Sequence, residues 1–103
     1  MKLKGTLSPL ILQVLAGGPN HGYRIVREIQ ERSEGVLNFK EGALYPALHA
    51  LEGDGALESF TQVEKGRTRR YYRITESGRK ALDKERQEWQ RVTHAVSLIL
   101  EGN

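Results

Sequence analysis

The chain has 103 residues, enough for one small domain with a modest core. It holds no cysteine, which excludes disulfides and thiolate metal sites and gives no sign of export to an oxidising compartment. Sixteen Lys and Arg against thirteen Asp and Glu leave a mild +3, so where the charge sits matters more than its sum.

Leu7, Leu10, Ile11, Val14 and Leu15 recur with helical spacing and predict a first helix. Ser8-Pro9 fits its opening turn, where an amide has no helical partner, and Gly17-Gly18-Pro19 ends it. Leu12 lies off this stripe and offers a second apolar contact. Asn20 is the expected N-cap of a second helix with Tyr23, Val26 and Ile29 on its inner face and Ile25 alongside. That helix runs out near Ser33-Glu34-Gly35.

Leu44, Leu48 and Leu51 define a third helix and its core face. Pro46 has no amide hydrogen and fits only near a first turn or a kink, which predicts a start between Glu41 and Ala43. Gly53 and Gly55 supply the stop. A strand over Leu57 to Glu64, a turn over Lys65-Gly66-Arg67-Thr68 and a return strand over Arg69 to Ile74 make a hairpin. Tyr71 and Tyr72 face opposite sides of it, with one expected in the core.

Thr75 caps a last helix, with the acidic Glu76 in its first turn. Residues 76 to 100 span ~38 Å as a helix. Leu82, Trp89, Val92, Val96 and Ile99 follow a seven-residue repeat, broken by Glu85. This seam either folds back on its own domain or meets a second copy of the chain. A homodimer is the expectation, because the pattern continues to the chain end.

The fold class expected is mainly α with a β-hairpin wing. A winged helix-turn-helix head occupies residues 1–75, and a C-terminal dimerisation helix occupies 76–103. No apolar run approaches membrane-spanning length and no signal-peptide pattern opens the chain. A cytoplasmic protein with no membrane partner is therefore expected.

A winged helix usually reads DNA. A helix of about 12 to 14 residues fits the major groove, with its N-terminal residues at base edges. Here those are Lys40, Glu41, Gly42, Ala43, Tyr45, Pro46 and His49. Gly42 and Ala43 permit close backbone approach, and Tyr45 and His49 can donate hydrogen bonds. Tyr45 serves equally well as a half-buried packing residue. From Lys65 to Arg73 the chain carries Lys65, Arg67, Arg69, Arg70 and Arg73 with no acid. This stretch suits phosphate or the minor groove, or else forms a solvated tip. Arg70 and Arg73 can instead pair with Glu58 or Glu64 across the hairpin.

The motifs His21-Gly22-Tyr23, Glu41-Gly42-Ala43-Leu44-Tyr45-Pro46-Ala47-Leu48, Leu51-Glu52 and Arg70-Tyr71-Tyr72-Arg73-Ile74-Thr75 resemble the PadR family of bacterial transcriptional regulators. The resemblance covers about residues 3 to 100, and the length is similar to the short subfamily with a single C-terminal dimerisation helix. It implies a repressor of a nearby promoter that binds double-stranded DNA as a dimer and is released by a small molecule; two-fold symmetry then predicts a pseudo-palindromic operator. It also implies DNA contacts at Tyr23, Gly42, Tyr45, Pro46, Arg67, Arg69 and Arg70. Ala43 departs from the Ser or Thr that many members carry, and this removes a hydroxyl from that contact.

Trp89, the single Trp, lies mid-seam. It either packs the dimer interface or offers a flat wall to an aromatic effector, with Ser8, Leu12, Val92, Thr93 and Val96 as neighbours. Some multidrug-responsive relatives look similar at this place. His21, His49 and His94 lack ligand spacing, and no serine sits in a nucleophile-elbow context. No enzyme and no cofactor are expected. A winged-helix protein-interaction adaptor, or a ligand-sequestering module without DNA binding, is the alternative reading.

Overall fold

The computed structural model describes residues 6–102. The elements in order are α1 (Leu7–Ala16), β1 (Asn20–His21), α2 (Gly22–Arg32), α3 (Glu41–Gly53), β2 (Leu57–Glu64), β3 (Arg67–Ile74) and α4 (Glu76–Glu101). Residues 1–5 of the expected head and Asn103 of the expected tail lie outside the described residues.

The core forms where three helices turn their apolar stripes toward one sheet. Leu7, Ile11, Leu12, Val14 and Leu15 of α1 meet Ile25 and Ile29 of α2 and Leu44, Leu48 and Leu51 of α3. Leu57, Tyr72 and Ile74 close the cluster from the sheet, and Leu82 closes it from α4. Each such large side chain contributes about 1.5–3 kcal/mol by leaving water. The sheet is antiparallel with strand order β1-β3-β2.

Several expectations needed correction. The cap of α2 is His21, whose ring accepts the Arg24 amide at 3.3 Å. Asn20 is occupied elsewhere, because β1 pairs it with Tyr72. Tyr23 is 55 % exposed rather than inward-facing, since Gly22, Ile25 and Ile29 set the buried stripe of α2. The hairpin turn is the two residues Lys65-Gly66, and β3 already starts at Arg67, opposite Glu64. Lys65 at φ 48° and Gly66 at φ 78° supply the two positive φ values that a two-residue turn of type I′ needs.

One tyrosine of β3 enters the core as expected, and the other is buried outside it. Tyr72 enters the core. Tyr71, on the other face, is covered by the His21 ring edge at 5.5 Å and by the Phe60 ring at 5.6 Å.

Pro46 lies one turn deeper than a first-turn proline, because α3 begins at Glu41. It has no N–H to offer the Gly42 carbonyl four residues back. Gly42 is exposed, so water can satisfy that oxygen.

Thr75 caps α4 as expected, accepting the Gly78 amide at 3.0 Å. The helix has 26 residues, about 39 Å of rise, within a molecule 59 Å long. Two residues expected at the tail's seam and pocket belong to the head instead. Leu82 is 5 % exposed and Leu12 is 2 % exposed within the single chain, because α1 packs against the start of α4. Among the described residues, no helix is long and apolar enough to cross a membrane.

Candidate nucleic-acid interface

α3 divides its faces cleanly. Leu44, Leu48 and Leu51 point into the core, while Lys40, Glu41, Gly42, Ala43, Tyr45, Pro46 and His49 are exposed. The first residue of α2 brings a second element to this surface. Gly22 is buried so closely against α3 that a β-carbon there would lie 3.2 Å from Leu44 Cδ2 and from the Tyr45 hydroxyl. The absence of a side chain at Gly22 therefore lets Tyr45 lie partly across α2 while its other side stays open. Tyr45 is thus both a packing residue and an exposed one.

Tyr23 projects beside this face, its hydroxyl accepting from Arg27 at 3.3 Å. The rings of Tyr23 and His21 stack at 6.5 Å. His21 also approaches β3, with Nε2 3.4 Å from an Arg69 nitrogen. Burial, then the positive charge of Arg69, hold its pKa below the ordinary value, against an opposing pull from Glu64.

The wing is less freely cationic than its composition implies. Arg69 lies 3.6 Å from Glu64, Arg70 lies 3.5 Å from Glu52, and Arg73 lies 3.3 Å from Glu58. The Arg73 guanidinium also covers the Phe60 ring at 4.5 Å. Of the five cations in the stretch, Lys65 and Arg67 at the tip have no ion pair among the described residues. The expected Arg73–Glu58 pairing across the hairpin is present. Arg70 reaches instead to α3, a partner that strand alternation does not reveal. Ser59 donates to Glu52 at 2.5 Å and accepts from Arg70 at 2.8 Å. Sequence reasoning quoted Glu52 only within a family motif and gave neither Glu52 nor Ser59 a role on this surface.

The tail carries the remaining expected residues. Trp89 is 46 % exposed, Val96 and Ile99 are exposed, and Val92 and Thr93 are half-buried. The Thr93 hydroxyl donates to its own helix backbone, to the Trp89 carbonyl at 2.8 Å. Ser8 is half-buried on α1.

A three-helix head whose third helix has an apolar back and an exposed front, with a two-stranded wing joined by a short third strand, defines a winged helix-turn-helix. The chain belongs to the PadR-like family of transcriptional regulators, whose model matches residues 11–84. Membership makes it a transcriptional regulator and not an enzyme.

It is 38 % identical over 86 residues to a transcriptional regulator of Mycobacterium tuberculosis, covering 84 % of this chain and 78 % of that protein. The structure of a transcriptional regulator from Clostridium thermocellum superposes with a TM-score of 0.86 at 30 % identity, covering 92 % of this chain and 93 % of the other. PadR of Bacillus subtilis, solved in complex with operator DNA, matches with a TM-score of 0.69 at 26 % identity. That match covers 76 % of this chain and 45 % of the larger protein.

Proposed function

We propose that the protein is a homodimeric, sequence-specific DNA-binding repressor, acting in the cytoplasm and released from its operator by a small molecule. One observation carries the DNA reading. The exposed row of Lys40, the N-cap of α3, with Gly42, Ala43, Tyr45, Pro46 and His49 lies on a head whose wing tip presents Lys65 and Arg67, which have no ion pair among the described residues. The similarity to a regulator solved on operator DNA supports the same reading.

In this reading α3 enters the major groove, and Tyr23 and the wing tip meet the flanking backbone. Tyr45 and His49 read bases, whereas Lys65 and Arg67 neutralise phosphate. Arg69 lies beside them but shares its charge with Glu64.

The tail, residues 76–103, pairs with its copy through Trp89, Val92, Val96 and Ile99. Support comes from the exposure of this stripe on a helix whose first turns are packed on the head. A two-fold dimer calls for half-sites about 34 Å apart. If it neutralises roughly six phosphates, log K falls with log salt at a slope near ~−5.

The effector site lies between the paired tails. Trp89 walls it, and Val92, Thr93, Val96 and Ser8 flank it. A flat aromatic compound there shifts the heads only by binding the free and operator-bound spacings with different affinity.

The experiment is anisotropy or mobility shift with the promoter region upstream of the protein's own gene. Saturable binding that Tyr45→Ala or His49→Ala redirects among sequences supports the reading. An absence of binding at low ionic strength sinks it. Quenching of Trp89 fluorescence by the compound that releases the operator tests the effector site.

A further inference from the structure

We infer that Glu52, Ser59 and Arg70 form a brace fixing the angle between the reading helix and the wing, so that Arg70 positions the wing and does not contact phosphate. The inference rests on the DNA-binding reading for its purpose, and on the free protein for its geometry.

Three elements meet in this brace. Glu52 sits in the last turn of α3, Ser59 is the third residue of β2, and Arg70 is the fourth residue of β3. The Ser59 hydroxyl bridges the other two, donating its one hydrogen to Glu52 at 2.5 Å and accepting from Arg70 at 2.8 Å. The Arg70 guanidinium also lies 3.5 Å from the same Glu52 oxygen and 6.0 Å over the ring of Tyr72, a core residue. β-register places Arg70 opposite Thr61, which makes Ser59 its diagonal neighbour on one face.

A carboxylate in the last turn of a helix faces the negative end of the helix dipole. Glu52 stands there nonetheless, with only 29 % of its side chain exposed. The Ser59 hydroxyl, and then the Arg70 charge, hold its carboxyl below the usual range against the opposing effect of burial. Lys65 and Arg67, by contrast, have no such partners among the described residues.

Position gives the brace leverage. The six-residue step from Ser59 to the tip at Lys65 spans about 20 Å along the strand. A tilt of about 10° at the base moves the tip by about 3 Å, the length of one hydrogen bond. Losing the brace therefore misplaces Lys65 and Arg67 without removing either charge.

The test measures binding of a mixed-sequence DNA duplex by anisotropy across a salt series. Arg67→Ala is expected to reduce the steepness of the salt dependence by about one per subunit, as loss of a phosphate contact does. Arg70→Ala is expected to weaken binding several-fold with the slope unchanged. Glu52→Gln is expected to weaken binding too, although it removes a negative charge and simple attraction to phosphate predicts the opposite. Tighter binding by Glu52→Gln, or a slope in Arg70→Ala that falls like that of Arg67→Ala, overturns the inference.

If the unaltered protein ignores the duplex, the DNA reading falls, and the brace is judged on free protein by amide hydrogen exchange. Faster exchange over Thr61 to Arg69 in Glu52→Gln, but not in Arg67→Ala, upholds it. Equal exchange in both variants overturns it.

Discussion

Gly78 of α4 lies directly against the carbonyl of Ala56, so close that a β-carbon at position 78 would collide with that oxygen. The same carbonyl accepts the Thr75 amide at 3.0 Å, and Ile74 Cγ1 would stand 2.8 Å from the added carbon. Backbone of this kind cannot swing aside. Gly78→Ala is therefore expected to destabilise the head by about 1–3 kcal/mol, despite the better helix propensity of alanine. Urea unfolding of the two proteins at equal concentration checks it.

Leu82 and Val96 lie on one stripe of α4 yet have separate fates. Leu82 is buried in the head's own core, whereas Val96 is exposed. Leu82→Ala should cost about 2–5 kcal/mol of stability. Val96→Asp should leave the head folded and shift the protein from dimer to single subunits. Sedimentation beside thermal unfolding separates these effects. A Val96→Asp protein that still sediments as a dimer argues against the tail interface.

Lys65 and Arg67 should act additively on DNA, since neither shares its charge with an acid among the described residues. Changing both to Ala is expected to lower the salt slope by about two per subunit and to weaken all duplexes alike. Replacing Arg73 should do far less, because Glu58 already holds it at 3.3 Å. Anisotropy titrations at three salt concentrations give the comparison.

Acidification should loosen the head through His21. Its ring accepts the Arg24 amide as the cap of α2, and protonation turns both ring nitrogens into donors beside Arg69. Burial and then Arg69 hold its folded pKa below the ordinary value of about 6.5. The unfolded chain thus takes up the proton first. The His21 contribution is complete above pH ~6.5 and is lost as pH falls from there through the folded value. Loss of a cap costs about 1 kcal/mol. His21→Asn, which can cap but does not titrate, should shrink the fall in melting temperature between pH 7 and pH 5. Glu52 and Glu88, both lowered, respond only at more acidic pH.

The helices were legible because their burial is periodic. Leu44, Leu48 and Leu51 announce the back of α3, and Thr75-Glu76 announces the start of α4. The wing was legible from Gly66 and the alternation around it. What stayed hidden depends on partners distant along the chain. β1 has two residues, too few for a pattern, and exists because β3 offers Tyr71 and Tyr72 an edge to pair. That pairing takes Asn20 from the cap and hands the role to His21. It also covers Tyr71, which alternation alone would leave on an open face. Strand alternation announced the Arg73–Glu58 pair, but not the partner that Arg70 takes. Glu52 reaches Arg70 only after α3 turns back toward the sheet.

The continuity of α4 from the head core to the exposed stripe has a geometric corollary. One unbroken rod means that each residue inserted between Leu82 and Trp89 turns the outer half by about 100° and advances it by about 1.5 Å. For paired tails, that outer half is a ruler and a protractor at once, so operator spacing is written in the length of a helix that need never touch DNA.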